Sequence, residues 1–462
     1  MSDSSAAAGP TGIDQRERVR EQRAWYFYDW ANSAYVTTTL TVLFSPYLIT
    51  VAEKAACPGL ADASHCTTNL SLLGIPVSPG SLPGYVVTAT TLLSAAVLPV
   101  VGALADRSPR QKSVLAWFAW VGALAATAMF FVAGSDWQLG VLLLFVANLC
   151  LGSSLVVYDA ILCQIATPDE RDHVSSRGWA LGYLGGFVLL AINLVLVLGH
   201  GSFGLSKGGA VRVSLASAGL WWGVFTFIPY LGLRNRPPVN LAPTSGSLVQ
   251  ASFGQLANTF RHMRGYRNTL LFLLAYLFFN DGIQTVIVSS STYGSKELGF
   301  SDSQLIMTIL VVQVVAFAGA LLFGRLAARF GSHRVVLDSL VVWTLVVVLA
   351  FFIPDGAFLL FVALAVLIGI VLGGTQALSR SLFSQLIPRG REAEYFSLYQ
   401  ACERGTSWLG TLVFGLVHQV TGSYRWAIIA LVVFFVVGGV LLSRVRMREG
   451  ILAAGNTLPA VV

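Results

Sequence analysis

Long apolar runs separated by short polar gaps recur along the whole chain. A helix needs about 20 predominantly apolar residues to cross a bilayer. Twelve segments meet that length: residues 24–48, 82–105, 113–133, 139–163, 178–198 and 215–233, then 269–289, 303–325, 335–353, 357–378, 396–417 and 424–442. The runs lack the strict alternation of a barrel strand, and an open strand in lipid leaves its backbone unpaired, so the pattern predicts helices. The longest central gap, 234–268, holds Pro237, Pro238, Pro243, Ser245, Gly246 and Ser247 and reads as a flexible linker leading into a short amphipathic stretch. The expected organisation is therefore a tail at 1–23, a six-helix bundle at 24–233, a linker at 234–268, a second bundle at 269–443 and a tail at 444–462.

Composition agrees with a bilayer environment. Of 462 residues, 55% are hydrophobic and 11% charged, whereas a soluble domain carries about 25% charged residues. The net charge of +7 does not point to nucleic acid, because the basic residues sit in the gaps between apolar runs. Alternate gaps, with both ends of the chain, hold 23 Lys and Arg residues, and the other gaps hold 5. That asymmetry predicts both termini in the cytoplasm and an even number of helices. The polar segment 1–23 has no apolar core of its own, so it is not a cleavable signal peptide. The expected location is the plasma membrane, with a monomeric chain in direct contact with lipid.

The two halves repeat one another. Gly102-Ala-Leu-Ala after the second helix matches Gly324-Arg-Leu-Ala after the eighth, at an offset of 222 residues. Gln164-Ile-Ala-Thr-Pro168 after the fourth matches Gln385-Leu-Ile-Pro388 after the tenth, at offsets near 221. A looser match sets Asp29 against Asp281. Both halves start on the same side, which makes them parallel repeats of the kind that rock about a site between them.

The stretch Gly102-x-x-x-Asp106-Arg107-x-x-Arg110-x-Lys112 resembles the loop motif of the major facilitator superfamily of secondary transporters, with Pro109 where that family commonly has Gly. Within it, Tyr28-Asp-Trp-Ala-Asn-Ser-Ala-Tyr35, Ala180-Leu-Gly-Tyr-Leu-Gly-Gly186, Tyr276-Leu-Phe-Phe-Asn-Asp-Gly-Ile-Gln-Thr285 and Gly373-Gly-Thr-Gln-Ala-Leu-Ser-Arg-Ser381 are similar to the vacuole-effluxer-like family, known for amino-acid efflux from fungal vacuoles. The resemblance implies an all-α membrane fold of twelve transmembrane helices in two six-helix bundles, and a path lined by the first, fourth, seventh and tenth helices. It also implies that Gly102, Asp106, Arg107 and Arg110 form a gate latch, with Gly324, Arg329, Gly331 and Arg334 in the repeat.

A charge in hydrocarbon costs about 2.5–3.5 kcal/mol on insertion scales, so intramembrane charges should face protein or water. The candidates for substrate contact or coupling are Asp29, Asp159, Asp281, Glu403 and Arg404, with polar Asn32, Asn280, Gln284 and Gln376. Asp281 ranks first, because it falls near mid-bilayer beside Gly282 and two amides. Interhelical hydrogen bonding is the structural alternative for it, and interfacial solvation is the alternative for Asp29, which lies among Trp25, Tyr26, Tyr28 and Trp30. Glu403 and Arg404 are adjacent and point apart on a helix, so each is expected to find a partner on another helix. Asp159 or Asp281 is the suggested partner of Arg404. Gly178, Gly182 and Gly186 recur every four residues and read as a packing stripe; Gly369 and Gly373 look similar.

No phosphate-cradling Gly-x-x-x-x-Gly-Lys-Ser/Thr loop and no paired Cys-x-x-Cys or His-x-x-x-His spacing is present, so neither an ATP-driven pump, a resident cofactor nor a metal centre is expected. Cys57 and Cys66 share one polar segment, where a disulfide and two free thiols are both open readings. The reading that follows is a secondary transporter, not an enzyme. It moves a small solute by alternating access, with amino acids as candidate cargo, efflux as the direction suggested by resemblance, and protons as the candidate coupling ion. The alternatives are a polytopic enzyme acting on lipid, which needs a nucleophile or metal cluster not found here, and a non-transporting sensor or scaffold, which needs a soluble output domain.

Overall fold

The computed structural model describes residues 15–58, 66–72, 74–239, 265–405 and 407–462. Most of the expected linker, including Pro243, Ser245, Gly246, Ser247 and the amphipathic stretch, lies outside them, as do residues 1–14 of the expected N-terminal tail.

Eleven helices among the described residues are long and apolar enough to cross a membrane. They are α1 (Gln15–Ala56), α2 (Pro79–Arg107), α3 (Gln111–Phe131), α4 (Trp137–Ile165), α5 (Arg171–Leu198) and α6 (Lys207–Gly232), then α7 (Arg267–Lys296), α8 (Ser303–Phe330), α9 (Ser332–Phe351), α10 (Phe358–Gln385) and α12 (Tyr424–Ser443). Between α10 and α12 the expected eleventh helix, 396–417, falls on α11a (Glu392–Gly405) and α11b (Ser407–Thr421), with residue 406 between them outside the described residues.

The helix ends differ from the apolar pattern where polar residues find partners. Helix α1 is already formed at Gln15, ahead of the apolar run that starts near residue 24, and its first described turns dock on the end of α6. There Glu21, 2% exposed, accepts the Arg234 backbone N–H at 2.9 Å and pairs with the Arg236 guanidinium at 2.6 Å. Midway, Val36–Leu43 widens into π-helical geometry. The segment is rich in β-branched Val and Thr, which crowd a regular α-helix, and π-turns of this kind tend to occur at functional sites. Beyond Ala56 the Cys57–Cys66 pair is disulfide-bonded, and a small hairpin follows, β1 (Leu70–Leu72) against β2 (Ile75–Val77). The disulfide is one of the two readings open for that pair, and the apolar pattern does not predict the hairpin.

Helix α2 packs along α11a, and α5 packs along α8, so each half lends one helix to the other on both flanks. Small residues make this approach close. A Cβ on Gly102 in α2 would sit 2.5 Å from the Ala393 carbonyl oxygen, and one on Gly324 in α8 would sit 2.9 Å from the Ser176 side chain on α5. These two glycines are the repeat pair at offset 222, and they serve opposite flanks of the same interface.

After α12 the chain turns through α13 (Met447–Ala453) and runs back under the bundle. Asn456 donates from Nδ2 to the Gln385 and Ile387 carbonyls at 2.9 and 2.8 Å. The Ala460 N–H reaches the Asp169 carboxylate at 2.6 Å, in the connection between α4 and α5. Here the face carrying the described chain ends is called the terminal side, and the opposite face the distal side.

Candidate functional site

A cavity of about 1160 Å³ lies between the two halves. The expected α1, α4, α7 and α10 line it, through Asn32, Asp159, Gln284 and Gln376 among others, and α2, α5, α8 and α11a also contribute. Its wall includes residues in the first turns of α2, α8 and α10 (Pro83, Leu305 and Phe361) and Tyr293 in the last turns of α7, so it reaches the distal ends of the helices. Among the described residues, hydrogen bonds between the halves fall in the middle and terminal-side portions of the helices. The cavity is thus a funnel, open on the distal side and shut on the terminal side.

Repeat-related positions form the floor. Arg380 on α10 lies 221 residues after Asp159 on α4, and the two pair with Nη1 to Oδ1 at 3.3 Å. Cys163 and Ser384 share the same separation, with the thiol 3.9 Å from the Ser384 carbonyl. Two residues equivalent under a twofold pseudosymmetry can touch each other only near its axis. The Asp159–Arg380 pair therefore sits where α4 and α10 cross, at the centre of the molecule.

Arg380 also holds Asp29 on α1, with Nη2 to Oδ2 at 3.1 Å, and donates from Nε to Ser175 Oγ on α5 at 3.0 Å and from Nη2 to the Ser175 carbonyl at 3.1 Å. All three charged groups are almost wholly buried: Arg380 is 2% exposed, Asp29 5% and Asp159 1%. Trp25, Tyr158 and Trp179 surround the guanidinium, their ring centroids 4.8, 5.3 and 5.4 Å from Cζ. Gly178 leaves the room for this cluster. A Cβ there would lie 2.7 Å from Asp29 Oδ2 and 3.1 Å from Arg380 Nη2. Gly182 and Gly186 continue the stripe against Ser33 and Thr37 of α1, and Gly373 does the same for α8 against α10, facing the Ala316 carbonyl.

Arg380 was the residue that sequence reasoning missed. By apolar pattern it falls in the gap after the run 357–378, but α10 continues to Gln385 and encloses it. Removing it leaves 22 basic residues in those gaps, and the asymmetry stands. A usable signal was present: the repeat offset of 221 aligns Arg380 with Asp159.

The other candidates divide into two groups. Glu403 and Arg404 line the cavity with Gln376 and Gln400. Gln400 donates from Nε2 to Asp159 at 2.8 Å and to Glu403 at 3.2 Å, and its carbonyl oxygen accepts from Arg404 Nε at 3.2 Å. The suggested pairing of Arg404 with Asp159 or Asp281 is not what forms. Arg380 takes Asp159, while Arg404 bonds to Gln400 on its own helix. Asn32 bonds back to the Tyr28 carbonyl at 2.6 Å. Gln376 donates to Asn280 at 2.9 Å, and Asn280 donates to the Glu403 carbonyl at 3.2 Å. Asp281 is 0% exposed and is not among the cavity-lining residues. It points into the second half, where Oδ2 accepts the Gly410 backbone N–H of α11b at 2.8 Å.

Below the floor, further contacts close the terminal side. Asp106 at the end of α2 accepts the Ala393 and Glu394 backbone N–H groups at 2.8 and 2.9 Å, capping the start of α11a. The orphan donors of a helix N-terminus and its positive dipole end favour a carboxylate there. On the other flank Arg171 reaches the Ser384 carbonyl at 2.7 Å, Ser175 reaches the Ala377 carbonyl at 2.7 Å, and Gln385 reaches the Pro168 carbonyl at 2.8 Å. Arg107 and Arg110 follow Asp106 at the end of α2 and the turn after it, and Arg329 lies over the Phe330 ring at 5.2 Å. Gly331, with φ +84°, makes the turn before α9, and Arg334 is exposed. Among the described residues no group of His, Cys, Asp and Glu could hold a metal ion.

Comparison with known proteins gives this arrangement a family context. The family described as "Vacuole effluxer Atg22 like" matches residues 17–172 and 165–455. YxiO of Bacillus subtilis, described as an MFS-type transporter, is 32% identical over 92% of this chain and 94% of its own. Autophagy-related protein 22 of Yarrowia lipolytica is 28% identical over 84% of this chain and 80% of its own. Among solved structures, the proton:xylose symporter XylE superposes with a TM-score of 0.68 at 11% identity, covering 94% of this chain and 96% of that one. The human organic anion transporter MFSD10 gives 0.66 at 17% identity, covering 92% and 99%. A bacterial homologue of ferroportin in an outward-facing state gives 0.65 at 14% identity, covering 93% and 99%.

Proposed function

Because the chain belongs to the vacuole effluxer Atg22-like family of major facilitator transporters, we propose that it moves amino acids or closely related zwitterions by alternating access, driven by protons and in the efflux direction. The observation that carries this reading is the floor of the cavity, where the two halves meet through buried groups of both signs. A zwitterion carries a carboxylate suited to a guanidinium and an ammonium suited to a carboxylate. Arg380 and Arg404 offer the first, and Asp29, Asp159 and Glu403 offer the second, around one space.

Alternating access then has a defined switch. With both termini in the cytoplasm, as the asymmetry of basic residues supports, the funnel opens outward and the terminal side is the cytoplasmic gate. Opening that gate separates α4 from α10 and pulls Arg380 away from Asp29 and Asp159. Two buried carboxylates without a cation are costly, so the switch needs protons or cargo to replace the guanidinium. This links conformational change to the bound species without a nucleotide or metal. The plasma membrane and a monomeric unit fit this reading, since the cavity and both gate flanks are built within one chain.

The test is uptake and counterflow of an amino-acid panel in proteoliposomes, with and without a pH gradient. Accumulation of at least one amino acid that depends on the gradient is the expected result. If no amino acid moves under any gradient, the reading fails.

A further inference from the structure

We propose that the pocket enclosing the Arg380 guanidinium is the binding site for the positively charged nitrogen of the cargo, and that Arg380 is its tethered occupant while the terminal gate is shut. The inference rests on the transporter reading above and goes further by naming which atoms receive which part of the cargo.

Every wall of this pocket belongs to one half. Trp25 and Asp29 come from α1, Tyr158 and Asp159 from α4, and Ser175 and Trp179 from α5. The guanidinium that fills it comes from α10 in the other half. Three aromatic ring centroids within 5.4 Å of Cζ and two carboxylates within 3.3 Å of the guanidinium nitrogens make an aromatic cage for a cation. A π-face attracts a cation within about 6 Å, more strongly when water is excluded. Trp25 and Tyr158 are 0% exposed, so their faces are shielded from water, while Trp179 is half-buried at the cavity wall.

Rocking the halves apart on the terminal side withdraws Arg380, along with Gln400 that donates to Asp159, and leaves the walls of the cage in place, since all of them lie in one half. What remains is two carboxylates under aromatic faces, open toward the terminal side and lacking a cation. An ammonium group fits that vacancy by size and charge. Arg380 and the cargo amine therefore compete for one place, and each state of the carrier has one of them in it. Loading from the terminal side holds the gate open, and release on the distal side follows when Arg380 returns.

The experiment removes the tethered occupant. Purified Arg380→Ala should be stabilised against heat by methylguanidinium with saturable dependence, and wild type should respond at least about tenfold more weakly, because Arg380 competes for its cage. Ethylammonium should compete with methylguanidinium, and neutral propionamide should not. Adding Trp25→Ala to Arg380→Ala should weaken the methylguanidinium response by about tenfold. Arg380→Met, close to the native side chain in length, serves if the alanine variant does not fold. In wild-type proteoliposomes, N-acetylation of a transported amino acid should abolish its counterflow. An absent response in a folded Arg380 variant, an equal response in wild type, competition by propionamide, or counterflow of the N-acetylated compound would each overturn the proposal. A variant that binds methylguanidinium in a protein that moves no amino acid keeps the cage and refutes only the choice of cargo. Amino-acid transport by wild type without methylguanidinium binding to the variant does the reverse.

Discussion

Asp159 and Asp281 are both wholly buried carboxylates inside spanning helices, one in each half, and the structure treats them in opposite ways. Asp159 faces the interface between the halves, where Arg380 and Gln400 reach it from α10 and α11a. Asp281 faces inward within its own half and is met by one backbone N–H, that of Gly410. A carboxylate paired across an interface changes its surroundings whenever the halves move. One bonded within a rigid bundle keeps them. The difference separates groups that can sense the transport cycle from groups that hold a bundle together, and depth in the membrane does not distinguish the two.

The strongest way to break this contrast is Arg380→Ala. Removing one partner of a buried ion pair costs about 3–5 kcal/mol, because the remaining charges are left uncompensated. Here the strain falls on the closed terminal gate, so the carrier should shift toward the gate-open state and lose coupled transport. Cys163, 3.9 Å from the Ser384 carbonyl across the gate, reports that shift. With Cys150 and Cys402 replaced by serine, its labelling by a maleimide should accelerate by about a hundredfold or more. Arg380→Lys should fall between wild type and the alanine variant, since a point charge cannot fork to Asp29 and Asp159 as a guanidinium does.

Gly102→Leu should come next. Even a Cβ at this position meets the Ala393 carbonyl oxygen at 2.5 Å, so α2 and α11a must move apart. Overpacking costs of about 1–3 kcal/mol are typical, and here they fall on the closed state alone. Faster Cys163 labelling with unchanged expression is the expected outcome. Unchanged labelling would mean that this flank is not part of the gate. Asp106→Ala should act in the same direction and less strongly. It removes the cap from the start of α11a, worth about 1 kcal/mol, and should raise the labelling rate several-fold.

The spanning helices, their division into six and six, and the small-residue contacts were legible in the sequence because bilayer length and charge asymmetry are properties of runs of residues. The site was legible only in part. Asp29, Asp159, Glu403 and Arg404 stood out as charges in apolar context, but Arg380 lies five residues from the end of its helix and looked like a gap residue. Asp29, near a belt of aromatics, gave no hint that Trp25 faces the interior with it. The partners of a buried charge are fixed by how α1, α4, α5 and α10 pack, and local pattern does not contain that. The one sequence feature that does is the repeat, since equal positions in the two halves meet at the axis. The hairpin after α1 escapes because its three-residue strands are too short to carry a periodic signal.

The smallest effect is expected at Asp281, the residue that sequence context ranks first. Asparagine preserves a carbonyl oxygen for the Gly410 N–H and takes away a charge. The second oxygen, Oδ1, is buried and has no hydrogen-bond partner among the described residues. Neutralising a buried carboxylate that lacks a cation removes a desolvation cost, so Asp281→Asn should fold as well as wild type and retain transport to within about twofold. Asp281→Leu should instead destabilise the second half by about 1–3 kcal/mol, because it leaves the Gly410 N–H unpaired. Measuring both, with transport read against the amount of folded protein, decides between the two kinds of carboxylate. Loss of gradient-driven transport in a well-folded Asp281→Asn protein would show that a group outside the cavity lining takes part in coupling. The contrast with Asp159 would then lie in which step each carboxylate serves, rather than in whether it serves one.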